Sequence, residues 1–229
     1  MEKAEFFIRK ERKFRLAPSA LMEVEKAVAK VFKVTAVESS METLYFDTEE
    51  HGFYNSCVKH PRESVKIRFR RYTTTGDQFL ELKKRKGLET RKWRVAVGIE
   101  KLAGLMSGVE TDLSDIVEPI RVVFREYRLL PVGAVSCVRL SYESGDPLVR
   151  VTIDSEIIYH RPPSVWELTE KGNLLGEVLL KEDFVVLEAK SSDGVSMLLR
   201  RVLSGLERIE YSKFLRAVGV TLDGKTGSI

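Results

Sequence analysis

Ser64-Val65-Lys66-Ile67-Arg68-Phe69-Arg70-Arg71-Tyr72 is the stretch that decides the fold. Val65, Ile67 and Phe69 alternate with Lys66, Arg68 and Arg70, and a period of two sorts neighbours onto opposite faces of a strand. One face is then apolar and the other cationic. The pattern repeats in Gln78 to Lys84, where Leu80 and Leu82 alternate with Glu81 and Lys83, and in Thr90 to Val97, where Trp93, Val95 and Val97 alternate with Lys92 and Arg94. Thr75-Gly76-Asp77 and Lys86-Gly87 are turn signals between these runs, so three consecutive antiparallel strands are expected.

Upstream, Phe6 to Leu16 reads as a charged strand. Pro18-Ser19 opens a helix over Ala20 to Phe32, with Leu21, Val24, Val28 and Val31 at helical spacing. Val34 to Ser40 and Thr43 to Asp47 are strand material, and Thr48 to Ser56 is a short helix or turn. Downstream, Leu102 to Ser107 and Ile116 to Leu129 read as helices, the second stopped by Pro131. Val135 to Glu143 and Leu148 to Ile158 flank Ser144-Gly145-Asp146-Pro147 as a hairpin. Arg161 to Gly176 reads as a loop with one or two short strands or an edge hairpin, Phe184 to Lys190 as a strand, and Val195 to Leu206 as a helix. A short helix over Ser212 to Val218 and a frayed tail from Asp223 complete the pattern, and one domain over residues 1–222 is expected.

The chain has 229 residues, 43% hydrophobic and 31% charged, which is enough to bury a core and excludes disorder as the main state. No apolar run approaches the roughly 18 to 20 residues that span a bilayer, and Met1-Glu2-Lys3-Ala4-Glu5 lacks a signal-peptide core, so a cytoplasmic protein is expected. Cys57 and Cys137 show no CxxC spacing, which argues for reduced thiols rather than a disulfide or zinc framework. The histidines His51, His60 and His160 share no ligand spacing and are expected at the surface.

Charge is unevenly distributed. Between His60 and Arg94 there are twelve Lys or Arg and four acids, an excess of eight in a chain whose net charge is +4. Across all strands the ionic face collects Arg9, Lys13, Lys66, Arg68, Arg70, Lys83, Lys92, Arg94, Arg139, Arg150 and Lys190, against Glu11, Glu81, Asp154 and Glu188. A face that is merely solvated mixes signs more evenly, because like charges on neighbouring strands repel. An anionic ligand gives the arrangement a purpose. If the sheet closes into a barrel, these groups share one lumen of reduced dielectric suited to a polyanion. GxGxxG does not occur, and the ionic strand faces would grip phosphate by guanidinium forks and ammonium groups rather than by a backbone loop.

Several segments, taken in order, resemble the vacuolar transporter chaperone (VTC) domain of the triphosphate tunnel metalloenzyme superfamily. They are Glu11-Arg12-Lys13-Phe14, Leu44-Tyr45-Phe46-Asp47-Thr48, Lys66-Ile67-Arg68-Phe69-Arg70, Leu80-Glu81-Leu82-Lys83, Arg91-Lys92-Trp93-Arg94, Val149-Arg150-Val151-Thr152-Ile153-Asp154, Val186-Leu187-Glu188-Ala189-Lys190 and Ser212-Lys213-Phe214. The resemblance implies an α+β fold, an antiparallel eight-stranded closed β-barrel with flanking helices, in which polyphosphate is made from ATP. It implies Arg68, Arg70, Lys83, Lys92 and Arg139 as catalytic residues. By the resemblance Lys13, Ser212 and Lys213 would bind phosphate and Glu188 would hold Mn²⁺ or Mg²⁺, and the ionic face adds Arg94, Arg150 and Lys190 to the expected phosphate-binding residues. The related CYTH branch opens with ExExK, whereas this chain reads Arg9-Lys10-Glu11-Arg12-Lys13, which favours the polymerase-like branch. Cys137 and Glu210 stand where that branch carries a tyrosine and a lysine.

The expected partners are therefore ATP and polyphosphate. A tripolyphosphatase or nucleoside triphosphatase in the same tunnel is the enzymatic alternative, and a polyphosphate-binding or nucleic-acid-binding module is the non-catalytic one. Nucleic acid fits less well, because the ionic face is poor in aromatic side chains on which bases could stack. In the plainest reading, Glu188 with Lys190 and Glu81 with Lys83 are structural ion pairs, and Asp154 orients an arginine. Lys84, Arg85 and Lys86 belong to a solvated hairpin end.

Overall fold

The computed structural model describes residues 5–6, 10–87, 89–108, 113–143, 149–191 and 196–226. Arg9 and the hairpin loop at 144–147 lie outside them. The chain forms β1 (Glu5–Phe6), β2 (Lys10–Leu16), α1 (Leu21–Phe32), β3 (Val37–Asp47), α2 (Gly52–Lys59), β4 (Glu63–Tyr72), β5 (Gln78–Lys86) and β6 (Glu89–Ala96). Next come α3 (Ile99–Ser107), α4 (Glu118–Glu126), β7 (Leu130–Glu143), β8 (Val149–His160), α5 (Val165–Lys171), β9 (Val178–Lys181), β10 (Val185–Ser191), α6 (Met197–Ser204), β11 (Glu207–Ile209) and α7 (Lys213–Thr226).

Local chemistry explains several boundaries. Lys33 takes a left-handed conformation that ends α1, whose buried Val24 and Val28 face the sheet. Asp47 is fully buried and accepts backbone hydrogen bonds from Thr48, Phe53 and Tyr54, so it ties the end of β3 to the first turn of α2. Two stretches depart from expectation. Pro131 does not stop a helix: α4 ends at Glu126, and Pro131 lies in β7, where the pairing with β3 slips by one residue and a missing N–H is tolerated. Within 161–176, Ser164 and Glu167 form a reciprocal capping box and α5 follows, closed by Gly172 at φ 61°.

All strands pair antiparallel in one sheet of eleven, ten of them in the order β1-β6-β5-β4-β3-β7-β8-β10-β2-β11, with β9 attached to β8. The eight long strands expected from the alternation are present, and the three additions, β1, β9 and β11, have two to four residues each. The sheet is α+β in company but is not the closed eight-stranded barrel expected. The free edge of β2 is taken by β11, and β1 caps β6, so the hydrogen-bonded path ends without returning on itself. It nevertheless curls far enough for Glu11 of β2 to reach Lys83 of β5, 3.7 Å away and six strands along the order. The result is a deep trough whose two walls meet through side chains.

The outer face carries the core. Leu44, Phe46, Ile67, Phe69, Leu80 and Leu82 are fully buried in one cluster with Leu102, Ile120 and Val123 of α3 and α4. Phe14, Ile153 and Leu187 form a second cluster with Val24, Val28, Leu199 and Leu203 of α1 and α6. Helices thus cover the outside, and the concave face is left to the charges. No helix among the described residues is long and apolar enough to cross a membrane.

Candidate functional site

The strand alternation puts Arg68 and Arg70 of β4, Glu81 and Lys83 of β5, and Lys92 and Arg94 of β6 on the concave face, in adjacent rungs Arg68↔Glu81↔Arg94 and Lys83↔Lys92. Glu81 is 2% exposed and serves three cations: Arg68 Nε at 2.7 Å, Lys92 Nζ at 2.6 Å and Arg94 Nε at 3.6 Å. Burial alone would raise its pKa, but Arg68, Arg70 and Lys92 hold it well below the usual carboxylate range. Glu81 does not pair with Lys83. Arg70 is buried and donates to Thr43 Oγ1 at 3.2 Å, and its burial, together with Arg68 and Arg139, depresses it. Arg94 Cζ lies over Phe79, 3.4 Å from the ring centroid.

On the facing wall Arg139 of β7 grips Asp154 of β8 through both Nε and Nη2, the latter at 2.7 Å. Lys213 reaches the same carboxylate and lies 3.6 Å from Cys137 Sγ. Desolvation pushes Asp154 up, yet Arg139 and Lys213 keep it strongly ionised, so it orients cations as the plainest reading has it. A bulge between Ser136 and Val138, with Glu156 of β8 at φ 49°, sets the register that aims Cys137 toward Lys213.

The start of α7 crosses the trough. Tyr211 O accepts from Lys13 Nζ at 2.6 Å, Ser212 Oγ accepts from Lys66 Nζ at 3.1 Å, and Phe214 packs on Tyr45 and Tyr54. Gly133 admits this helix, because a Cβ there would lie 2.9 Å from Ala217 Cβ. Lys66 and Lys92 are both pushed down to about 8, chiefly by burial.

The carboxylates Glu11 and Glu188 adjoin on β2 and β10. Among the described residues Glu188 Oε1 is sealed from solvent without an aligned hydrogen-bond donor, although Lys190 Nζ lies 2.6 Å away as an ion-pair partner. Burial raises Glu11, but Lys83, Lys190 and Lys13 pull it far down, so it stays an oxygen donor with full charge. Among the described residues no three His, Cys, Asp or Glu side chains gather as a metal cluster. Two adjoining carboxylates are hard oxygen donors of the kind preferred by a cation such as Mg²⁺ or Mn²⁺ that takes its remaining ligands from phosphate and water.

A cavity of about 440 Å³ is lined by Ser39, Tyr72, Arg139, Ser141, Glu143 and Arg150, among others. Arg150 pairs there with Glu143 at 3.0 Å, and its Nε is buried with no hydrogen-bond partner among the described residues.

The twelve residues expected at the site thus share one face: Lys13, Arg68, Arg70, Lys83, Lys92, Arg94, Arg139, Arg150, Glu188, Lys190, Ser212 and Lys213. Lys66 and Glu11 belong with them. Both stand in the alternation as ionic-face residues, so the signal for them was present in the sequence. Trp93 packs toward the outer core and offers the cations no stacking surface. His160, expected at the surface, is buried, with Nε2 3.0 Å from Ser136 Oγ and Nδ1 3.3 Å from Gly176 O.

The fold has solved counterparts. One is a Hippeastrum protein described as a candidate adenylyl cyclase with a dominant triphosphatase activity, at 16% identity and TM-score 0.55, covering 93% of this chain and 95% of that one. A candidate adenylate cyclase from Bacillus halodurans aligns at 11% identity and TM-score 0.55, over 92% of this chain and 98% of its own. At these identities the likeness is one of fold. No curated protein matches by sequence. The family model of the VTC domain matches residues 8–222, from the strand that carries Lys13 to the helix that carries Lys213, and the chain therefore belongs to the VTC domain family.

Proposed function

We propose that this protein is a metal-dependent phosphotransferase that binds a triphosphate group in the trough, and that it moves the γ-phosphoryl group of ATP onto a growing polyphosphate chain. The observation that carries this reading is the charge imbalance of the concave face, where, among the described residues, Lys and Arg from β2, β4, β5, β6, β7, β8, β10 and α7 outnumber the carboxylates Glu11, Glu81, Asp154, Glu188 and, beside Arg150, Glu143. Phosphoryl transfer asks for in-line positioning and for charge dispersal over the transferring oxygens rather than for covalent help.

In this scheme Arg68, Arg70, Lys92 and Arg139 hold the bridging and non-bridging oxygens on facing walls. Carboxylate partners of Arg68, Lys92 and Arg139, and the Thr43 hydroxyl beside Arg70, fix each head group before the substrate arrives, which lowers the ordering cost. Lys13, Lys83, Lys190 and Lys213 meet the inner phosphates, and Arg94 and Arg150 meet the chain nearer the rims. Glu188, with Glu11, would hold Mn²⁺ or Mg²⁺, which supplies charge neutralisation for the phosphates when bound.

Hydrolysis of tripolyphosphate or a nucleoside triphosphate is the second reading, favoured by the triphosphatase activity of the Hippeastrum counterpart. Incubation with ATP or inorganic tripolyphosphate and Mn²⁺ or Mg²⁺, beside Glu188→Gln, separates the two. Long-chain polyphosphate that disappears in the variant is the expected product. Free phosphate alone would replace the polymerase with a triphosphatase, and triphosphate binding without turnover would leave a binding module.

A further inference from the structure

Five lysines of the trough have a carboxylate partner: Lys13 and Lys83 share Glu11, Lys92 has Glu81, Lys190 has Glu188 and Lys213 has Asp154. Lys66 differs. Among the described residues it makes no ion pair, and its hydrogen-bond partner is the hydroxyl of Ser212, 3.1 Å away. The amine is half-buried, with the Phe214 ring centroid 5.8 Å from Nζ. The charged and titratable groups that face it are Cys57 of α2, Lys83 of β5, and Lys13 and Glu11 of β2. Burial, Lys83 and Lys13 push its pKa down to about 8 against the pull of Cys57 and Glu11. Roughly a tenth of the amine is then neutral at pH 7, far more than for an ordinary lysine. A hydroxyl within hydrogen-bond reach of an amine that can take its proton is the arrangement of an activated nucleophile.

Ser212 is also placed where a phosphoryl group would be held. It follows Tyr211, whose carbonyl accepts from Lys13, and precedes Lys213, whose ammonium enters the trough at Asp154. Its Oγ also accepts a long bond of 3.4 Å from Leu215 N, a weak cap that leaves the oxygen available.

We propose that Ser212 is itself a phosphoryl acceptor with Lys66 as its base, so that the protein phosphorylates itself from a triphosphate bound in the trough. The inference rests on the reading that the trough binds triphosphates. In the step, a bond forms between Ser212 Oγ and the terminal phosphorus while the bridge from that phosphorus to the next phosphate breaks. The hydroxyl proton passes to Lys66 Nζ, and the electron pair of the broken bridge leaves with a nucleoside diphosphate, or with pyrophosphate when the donor is inorganic tripolyphosphate. No oxidant or further reactant is needed, and the new phosphoserine keeps Lys13, Lys66 and Lys213 as counter-charges.

The test uses the full chain with inorganic tripolyphosphate or ATP and Mn²⁺, read by intact mass under denaturing conditions and by peptide mapping. Tripolyphosphate affinity is measured by calorimetry on the same samples. The expected result is a gain of about 80 Da on Ser212, absent in Ser212→Ala and retained in Ser212→Thr. Lys66→Arg keeps the positive charge but accepts no proton, so at tripolyphosphate concentrations that saturate the variant, whatever its affinity, it should label at least about tenfold more slowly than the parent. A chain that binds tripolyphosphate but gains no mass, or gains it at another residue, overturns the proposal and leaves the trough reading standing. Unchanged labelling in Lys66→Arg overturns the role given to Lys66, and no tripolyphosphate binding at all overturns both readings. If Ser212→Ala fails to fold, the mapped position and the Lys66→Arg rate still decide.

Discussion

Glu81 is the carboxylate on which the cationic wall depends, because Arg68, Lys92 and Arg94 all converge on its buried oxygens. Removing one partner of a buried charge cluster leaves the rest uncompensated. Glu81→Gln should therefore cost about 3–5 kcal/mol of stability without ligand. Chemical denaturation reads that loss, and added tripolyphosphate should restore part of it by supplying the missing negative charge. The role of Arg68 is separable from general electrostatics by a matched control. Arg68→Ala should weaken tripolyphosphate binding by about tenfold or more, whereas Arg85→Ala, exposed at the hairpin end, should change it less than about twofold. Equal losses in a binding titration would mean that net charge alone attracts the anion. Alternation made Arg68 and Glu81 legible as neighbours on one face, since side-chain direction follows from strand period. That Glu81 pairs with Arg68 and Lys92 rather than with Lys83, two residues along its own strand, depends on cross-strand register.

Between strands and helices the decisive contact is that of α7 with β7. Gly133 and Ala217 touch so closely that a methyl group at 133 would meet both the side chain and the backbone of Ala217. Gly133→Ala should cost about 1–3 kcal/mol by overpacking. It should also reduce tripolyphosphate affinity disproportionately, because the displaced helix carries Ser212 and Lys213. Thermal unfolding and calorimetry on the same protein test both effects, and a stability loss with intact affinity would mean that α7 can shift without moving those two side chains. The helix α5 shows a signal that was available locally: Ser164-x-x-Glu167 is a capping-box sequence, and the structure closes both of its hydrogen bonds. The preceding Pro162-Pro163 pair masks it as a loop. His160 gave no such warning, because its burial comes from the segment that returns Gly176 against it.

Over the entire trough, the concentration of like charge makes the empty protein sensitive to pH in a defined direction. Lys66 and Lys92 are held near 8, so between about 8 and the ordinary lysine value of 10.5 the unfolded chain binds more protons than the folded one. Stability without ligand should rise with pH across that window. Triphosphate binds the protonated amines, so its affinity should fall across the same window, and denaturation and calorimetry at a series of pH values would reveal opposite slopes. Slopes of the same sign would mean that neither lysine faces the ligand.

The sequence by itself determined the eight long strands, the sorting of apolar from ionic side chains, the identity of the cationic face and the family to which the chain is similar. The strands and the sorting are consequences of a period of two, which needs no knowledge of what lies across the sheet, whereas the family likeness rests on the motifs and their order along the chain. Tertiary structure decided the rest. The hydrogen-bonded path ends at β11 instead of closing, because a three-residue strand from the distant segment Glu207–Ile209 takes the edge of β2. Lys66 faces Ser212, 146 residues along the chain, only because α7 is drawn over the trough by Phe214 and Ala217. Such meetings are set by how the sheet curls and by which edges are occupied, and local periodicity carries no record of either.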